Sequence, residues 1–205
     1  MRGCGLCWSQ AELDVLDGDP ELVPAVVVQK FAWESADHFE RDEYEFAWRR
    51  LGYRVVQELE RLPDDKLTAG LRWARWPSWP EAERTALRAL ITDLIVRVAG
   101  DQERWWQLDE LIQAAAQLDQ DMTPWLRLVD DFQDALVAQL AESYSMYYTH
   151  SDGPVLTWMT WDDPGGPIVD WLLSPTLRDR LSGLDDRNAQ RALELIDLMV
   201  ELSIR

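Results

Sequence analysis

Leu71–Gly100, LRWARWPSWPEAERTALRALITDLIVRVAG, decides how the rest of the chain reads. Ser78, followed three residues later by Glu81, has the form of a capping box, with Pro80 in the first turn where its missing N–H costs nothing. Leu87, Leu90, Ile91, Leu94, Ile95 and Val98 then recur on one helical face, and Gly100 supplies the stop. The outward face is polar, with Asp93 and Arg97 in the favourable i, i+4 order. Ahead of this helix, Trp73, Trp76 and Trp79 recur every three residues around Pro77, so three large rings fall where one helix hands over to the next. Rings of that size can fix a corner by the area they bury. The alternative is a ligand slot lined by Arg72, Arg75 and Trp76.

Working outward, the same start and stop signals recur. Ser9 and Glu12 open a short helix that stops at Gly18, Asp19 and Pro20 start the next, and Pro24 restarts it through about Glu34. Asp42 and Glu45 repeat the capping pattern before a helix carried by Trp48, Leu51, Val55, Leu59 and Leu62 to Pro63. Asp64 or Asp65 caps a shorter one through about Ala74. After the central helix, Asp101 opens another with Trp105, Leu108, Ile112, Ala115 and Leu118 inward. Thr123 and Pro124, as N-cap and first residue, begin a helix to about Glu142. The period then changes. Between Tyr144 and Trp161, Tyr, Thr, Val, Met and Trp flank Asp152-Gly153, a hairpin turn pair. This predicts a short β-hairpin near residues 144–161, lying against helices because a lone hairpin is marginal in water. Asp162 to Pro167 reads as loop, Pro167–Leu173 and Ser174–Leu181 as short helices, and Asp186–Ile204 as the last helix. The expected fold is all-α, an irregular antiparallel helical bundle or HEAT-like stack with that one hairpin and no fixed repeat.

The segment ARWPSWPEAERTALRALI resembles a pattern, Ala-x-Trp-x-x-Trp-Pro-x-x-Glu followed by an apolar helix, found in a group of uncharacterised bacterial all-helical proteins. Ala74, Trp76, Trp79, Pro80 and Glu83 hold those positions over roughly a tenth of the chain. The resemblance implies a helical fold and carries no catalytic residue across.

Length favours one domain over residues 1–205. The 38 acidic and 20 basic residues give a net charge of −18, and only Lys30 and Lys66 among the bases are lysine. Such a charge repels phosphate backbones, so no nucleic-acid partner is expected. The acids concentrate late: residues 1–62 have 13 acids and 7 bases, residues 63–100 have 5 and 6, and residues 101–205 have 20 and 7. The near-neutral middle fits a core element, and the acidic C-terminal half is a candidate docking face for a basic protein. Arg, Ala, Leu and Trp at the expense of Lys fit the coding bias of a GC-rich bacterium. No apolar run approaches a membrane span, and MRGCGLCW has no signal-peptide core, so the expected location is cytoplasmic with no membrane partner. Cys4 and Cys7 form a C-x-x-C, a weak signal for metal or redox chemistry. A four-ligand zinc site of nitrogen and sulfur would need both of them with His38 and His150, every Cys and His in the chain. Reduced thiols in a frayed segment, residues 1–8, are expected instead, with no metal or other cofactor.

Asp130-Asp131-Phe132-Gln133-Asp134 has the D-D-x-x-D form of the Mg-diphosphate motif in class I terpenoid synthases. If Trp125, Val129, Phe132 and Leu136 define the inward side, Asp130 and Asp134 point away from it, which predicts a solvated acidic face. A small helical metal-dependent enzyme using Asp130, Asp131 and Asp134 is the alternative. Nothing resembles a Ser-His-Asp set or a Gly-rich phosphate loop. Tyr144, Tyr147, Tyr148, Trp158 and Trp161 beside Asp162 and Asp163 combine aromatic anchors with acids, the composition of a hot spot for a basic partner. The expected function is therefore an acidic protein-binding module rather than an enzyme, with Tyr147, Trp158, Trp161, Asp162 and Asp163 as contact residues. By compositional analogy it is similar to immunity proteins and antitoxins that neutralise basic nucleases. In the last helix Ala192, Leu193, Ile196, Met199 and Val200 make one stripe, and Leu195, Leu198 and Leu202 widen it. That surplus predicts cover by the N-terminal helices or by a second copy, as a homodimer.

Overall fold

A computed structural model describes residues 1–34, 36–59, 64–150 and 165–203. The chain forms two compact units, Met1–Arg97 and Val98–Arg205. Their eleven α-helices make the described residues all-α, without a strand. The sole sheet-like pairing there is an isolated antiparallel bridge between Gly3 and Phe39.

In the first unit, α1 (Gln10–Asp17), α2 (Ala25–Trp33), α3 (Arg41–Glu58) and α4 (Asp64–Trp73) precede α5 (Glu81–Ala99). The reciprocal capping box at α1 forms as expected, with Ser9 Oγ accepting from the Glu12 N–H and the Glu12 carboxylate accepting from the Ser9 N–H. The core is aromatic. Trp8, Phe31, Phe39, Tyr44 and Trp48 form a continuous set of ring contacts with centroids 5.5 to 6.3 Å apart. Gly70 on α4 faces this cluster so closely that a Cβ there would lie 1.9 Å from Trp48 Cζ2. Arg54 of α3 donates to the carbonyls of Pro20, Glu21 and Val23, which fixes the connection between α1 and α2. The first eight residues, expected to fray, end in Trp8 at 2% exposure under Lys30, whose ammonium stands 4.3 Å from the ring centroid.

Two other capping patterns are overturned. Ser78 lies in a 3-10 turn, Trp76–Ser78, and its hydroxyl donates to the Arg75 carbonyl. The first carbonyl of α5 belongs to Pro80, which accepts from Glu83 and Arg84, while Glu81 turns to the Arg84 guanidinium. The corner around Pro77 thus winds one turn too early for Ser78 to reach the helix. At α3 the N-cap is Glu40, without a side-chain cap. Asp42 and Glu45 instead take the Arg75 guanidinium, a charged donor that outcompetes a neutral backbone N–H.

The second unit contains α6 (Leu108–Asp119), α7 (Thr123–Asp130), α8 (Asp134–His150), α9 (Gly166–Leu172), α10 (Pro175–Ser182) and α11 (Arg187–Ser203). Its centre is the α8–α11 pair. Val137, Ala138, Ala141, Ala189, Ala192, Leu195 and Ile196 are buried, and the alanines let two helix backbones approach closely. The helix expected from Thr123 to Glu142 is two. Arg180 of α10 donates to the carbonyls of Asp130 and Phe132 and to the Asp134 carboxylate, so a charged fork satisfies the broken turn. Thr123 is the first residue of α7 rather than its cap, and Asp121 accepts its N–H.

The expected hairpin is corrected in its first arm. Tyr144 to His150 are the last turns of α8, because the buried series Leu136, Val137, Leu140, Ala141 and Tyr144 continues the helical period. Residues 151–161, the rest of that hairpin, lie outside the described residues, as do Asp162 and Asp163. On α11, Leu195 is buried, but Leu198, Val200 and Leu202 are 40%, 39% and 49% exposed. The surplus stripe is therefore covered at Leu195 and exposed at Leu198 and Leu202, and Val200 stands outside the inward face to which its spacing assigned it. No helix among the described residues is long and apolar enough to cross a membrane.

Candidate functional site

The turn after α5 places two neighbouring tryptophans in opposite environments. Asp101 caps a 3-10 segment, Gln102–Gln107, by accepting from the Glu103 N–H. Trp105 then turns inward and donates through Nε1 to the Ala99 carbonyl at 2.9 Å, while Trp106 stays 68% exposed. Asp109 and Gln113 follow on α6, and α8 supplies Gln139, Ser143 and Tyr147, a stripe at successive i, i+4 positions. Together with Trp105, Glu110 and Leu140 they line a cleft of about 430 Å³ within the second unit.

Asp109 forms the floor of this cleft. Gln113 Nε2 donates to its Oδ1 at 2.5 Å, and the Ser143 and Tyr147 hydroxyls reach Oδ2 at 3.4 Å each. Burial pushes the Asp109 carboxyl pKa above the usual range, and the hydrogen bonds from Gln113 and the neighbouring hydroxyls oppose that shift only in part. Tyr144, fully enclosed on the inner side, is raised well above an ordinary phenol by burial first and by the Asp109 charge second. Tyr147 is raised for the same two reasons. A carboxyl group buried at the floor of a cleft beside an exposed indole is the arrangement expected of a binding group.

Of the residues expected to contact a partner, Tyr147 is brought into this cleft. Trp158, Trp161, Asp162 and Asp163 lie outside the described residues. Trp106, Asp109 and Ser143 were missed by the sequence reading. The available signal was the position of Trp106, which falls off the inward stripe of Trp105, Leu108 and Ile112, beside acids at 109 and 110.

The slot proposed at Arg72, Arg75 and Trp76 is filled by its own residues. Trp76 is 3% exposed and meets Trp79 edge-on at 5.2 Å, and Trp79 Nε1 donates to the Ala74 carbonyl at 2.7 Å. Arg75, in the left-handed region at φ 57°, spends its guanidinium on Asp42 and Glu45. Arg72 and Trp73 are exposed beside this corner. Nor do the three acids of the D-D-x-x-D stretch converge. Asp130 accepts from Trp171 Nε1 at 2.8 Å, Asp131 follows the end of α7, and Asp134 is paired with Arg180 at 2.7 Å.

Among the described residues, the one group of three His, Cys or acidic side chains close enough to share a metal ion is Cys4, Cys7 and His38 in the first unit. The sulfurs and one imidazole nitrogen lie within 4.8 Å of one another. Backbone pairing accounts for this: Cys4 N–H donates to the His38 carbonyl at 2.8 Å, next to the Gly3–Phe39 bridge, and Cys7 and Trp8 donate back to the Cys4 carbonyl. The Leu6 N–H, the His38 side chain and the Cys7 N–H, in that order, lower the Cys4 pKa to about 7, whereas burial raises that of Cys7. Neither a protein-family model, nor a curated protein, nor a solved structure matches the chain.

Proposed function

We propose that this chain is an acidic protein-binding module whose second unit receives a basic side chain of its partner in the cleft between Trp106 and Tyr147. The observation that supports the reading is the Asp109 carboxyl group, buried at the floor of the cleft and oriented there by Gln113, Ser143 and Tyr147. An arginine or lysine would restore the solvation that carboxylate lacks, and its stem would lie on the exposed Trp106 ring. The surrounding field favours the same ligand, since residues 98–205 hold 20 acids against 7 bases. The partner class is a basic protein, and an immunity protein or antitoxin-like inhibitor in a bacterial cytoplasm is the role that composition suggests. Its framework is read as an irregular antiparallel bundle rather than a repeat stack.

The test is titration with a short arginine-containing peptide, followed by the indole N–H resonances of the chain. The Trp106 resonance should move saturably, and Asp109→Asn should abolish the movement. Raising the salt should weaken binding, because exposed charges are screened over ~8 Å at physiological ionic strength. A Trp106 resonance that ignores the arginine peptide but follows a neutral one of equal length would refute the reading. The metal-enzyme alternative gains nothing from the pairing of Asp130 and Asp134 with Trp171 and Arg180.

A further inference from the structure

We propose that Cys4, Cys7 and His38 bind one zinc ion, with Glu34 holding the imidazole from behind. The donor set is two sulfurs and one nitrogen within 4.8 Å of one another. A tetrahedral zinc with ordinary bond lengths would set two such sulfurs roughly 3.8 Å apart, so the residues need only close slightly. The imidazole orientation is the second, independent observation. Its Nε2 faces Glu34 Oε1 at 3.4 Å, while its Nδ1 is buried and makes no hydrogen bond of ordinary geometry, the other polar neighbour of the imidazole being the Cys4 thiol. A buried ring nitrogen without a well-formed hydrogen bond calls for an explanation, and a metal bond to Nδ1 supplies one. The carboxylate on the opposite nitrogen then fixes the tautomer that leaves Nδ1 free to ligate, as the outer carboxylates of histidine–zinc sites do.

The site is organised before any metal arrives. The C-x-x-C turn is held by hydrogen bonds from Cys7 and Trp8 to the Cys4 carbonyl, at 3.0 and 2.9 Å, and the Cys4 N–H ties it to His38. Trp8 anchors one side in the aromatic core, and the 3-10 turn Ala36–His38 presents the imidazole on the other. Binding releases the two thiol protons to solvent, and the resulting thiolates balance the charge of the ion. Three protein donors leave the fourth tetrahedral position to a solvent molecule. Zinc would thereby clip residues 1–8 to the connection between α2 and α3.

The experiment uses the full chain, reduced and stripped of metal by a chelator, then titrated with zinc alone and with cobalt(II) as the spectroscopic probe. Expected are one zinc per chain, a rise in Tm with free zinc, and a tetrahedral cobalt spectrum with sulfur charge-transfer bands. Cys4→Ser with Cys7→Ser should abolish binding, and His38→Ala should weaken it more than Glu34→Gln, for which a ten- to hundredfold loss of affinity is expected. Zinc should also protect both thiols of the wild-type chain from maleimide, a readout that needs no variant to fold. Full alkylation at saturating zinc, an octahedral cobalt spectrum, or unchanged affinity in His38→Ala would overturn the proposal. So would a Cys4–Cys7 disulfide that persists in glutathione buffer and excludes zinc, the behaviour of a redox pair.

Discussion

The two units solve the same problem, a helical core, with opposite materials. Met1–Arg97 gathers Trp8, Phe31, Phe39, Tyr44 and Trp48 from separate segments into a ring cluster. Val98–Arg205 lays α8 along α11 with alanine and aliphatic side chains between them. An aromatic cluster needs few residues per element but exact room for each ring, so its tolerance to added volume is low. A small-residue helix pair spreads its contacts along whole turns. Among the described indoles of the second unit, Trp105, Trp125 and Trp171 are buried and Trp106 alone faces outward, at the cleft.

The largest expected effect tests that difference in tolerance. Gly70→Ala would place a methyl 1.9 Å from the buried Trp48 ring, and neither backbone nor indole has space to yield. The expected loss is about 3 kcal/mol or more, read as a shift in the denaturant midpoint with loss of the near-ultraviolet tryptophan signal. A midpoint unchanged by the methyl would show that the aromatic core is loosely packed and would remove the contrast.

Next in size is the loss of a guanidinium that serves several carbonyls. Arg54→Met strips donors from Pro20, Glu21 and Val23, and Arg180→Met strips them from Asp130 and Phe132 and unpairs Asp134. Each should cost about 2 kcal/mol, less where water reaches the carbonyls. Thermal melts should show losses of similar size in the two variants, since both units rely on arginine to close irregular turns. A loss confined to one of them would make the device local to that unit.

Two serines with the same sequence pattern sharpen the reading within the first unit. Ser9→Ala removes a reciprocal cap and should cost about 1 kcal/mol. Ser78→Ala removes only a hydroxyl bonded to Arg75 in a surface turn and should stay within about 0.5 kcal/mol. Equal midpoint shifts in the two variants would contradict the capping geometry.

These serines also show how far the sequence could be read. Long helices carried by an uninterrupted apolar period, such as α5 and α11, were legible, because burial and period agree over many residues. Boundaries decided by a distant charge were not: Arg180 breaks the 123–142 helix from fifty residues away, and Arg75 diverts Asp42 and Glu45 from capping. The tyrosines near 147 read as strand because their β-propensity beside a turn signal masks the unbroken helical period of α8. The cleft was half legible, through Tyr147, while Asp109 and Trp106 needed the tertiary pairing of two helices. For Cys4, Cys7 and His38 the residues could be named, but only a long-range backbone pairing, Cys4 with His38, brings them together.

The smallest effect expected is a pair of opposite pH slopes from partly solvated carboxylates. Glu12 accepts from Lys30 and from Ser9, which hold its pKa down to about 2. A depressed folded-state value means that its contribution is present above the unfolded pKa of about 4.5 and disappears as the pH falls toward 2. Asp109 runs the other way. Burial raises its folded-state pKa above the ordinary aspartate value of 3.8, so the folded chain binds a proton more readily than the unfolded one. Stability is then greatest below the unfolded pKa and declines as the pH rises through the folded one. Asp109→Asn should remove that decline and leave the chain slightly more stable at neutral pH, even as it abolishes the response of Trp106 to an arginine peptide. Ser9→Ala, which removes the hydroxyl but keeps Lys30 and the Ser9 N–H on Glu12, should instead make the acid limb set by Glu12 shallower. The two variants, melted across the acidic range, separate a carboxylate that serves the fold from one that the fold tolerates. If Asp109→Asn destabilises the chain at neutral pH, the carboxylate belongs to the scaffold and the cleft loses its claim to be a binding site.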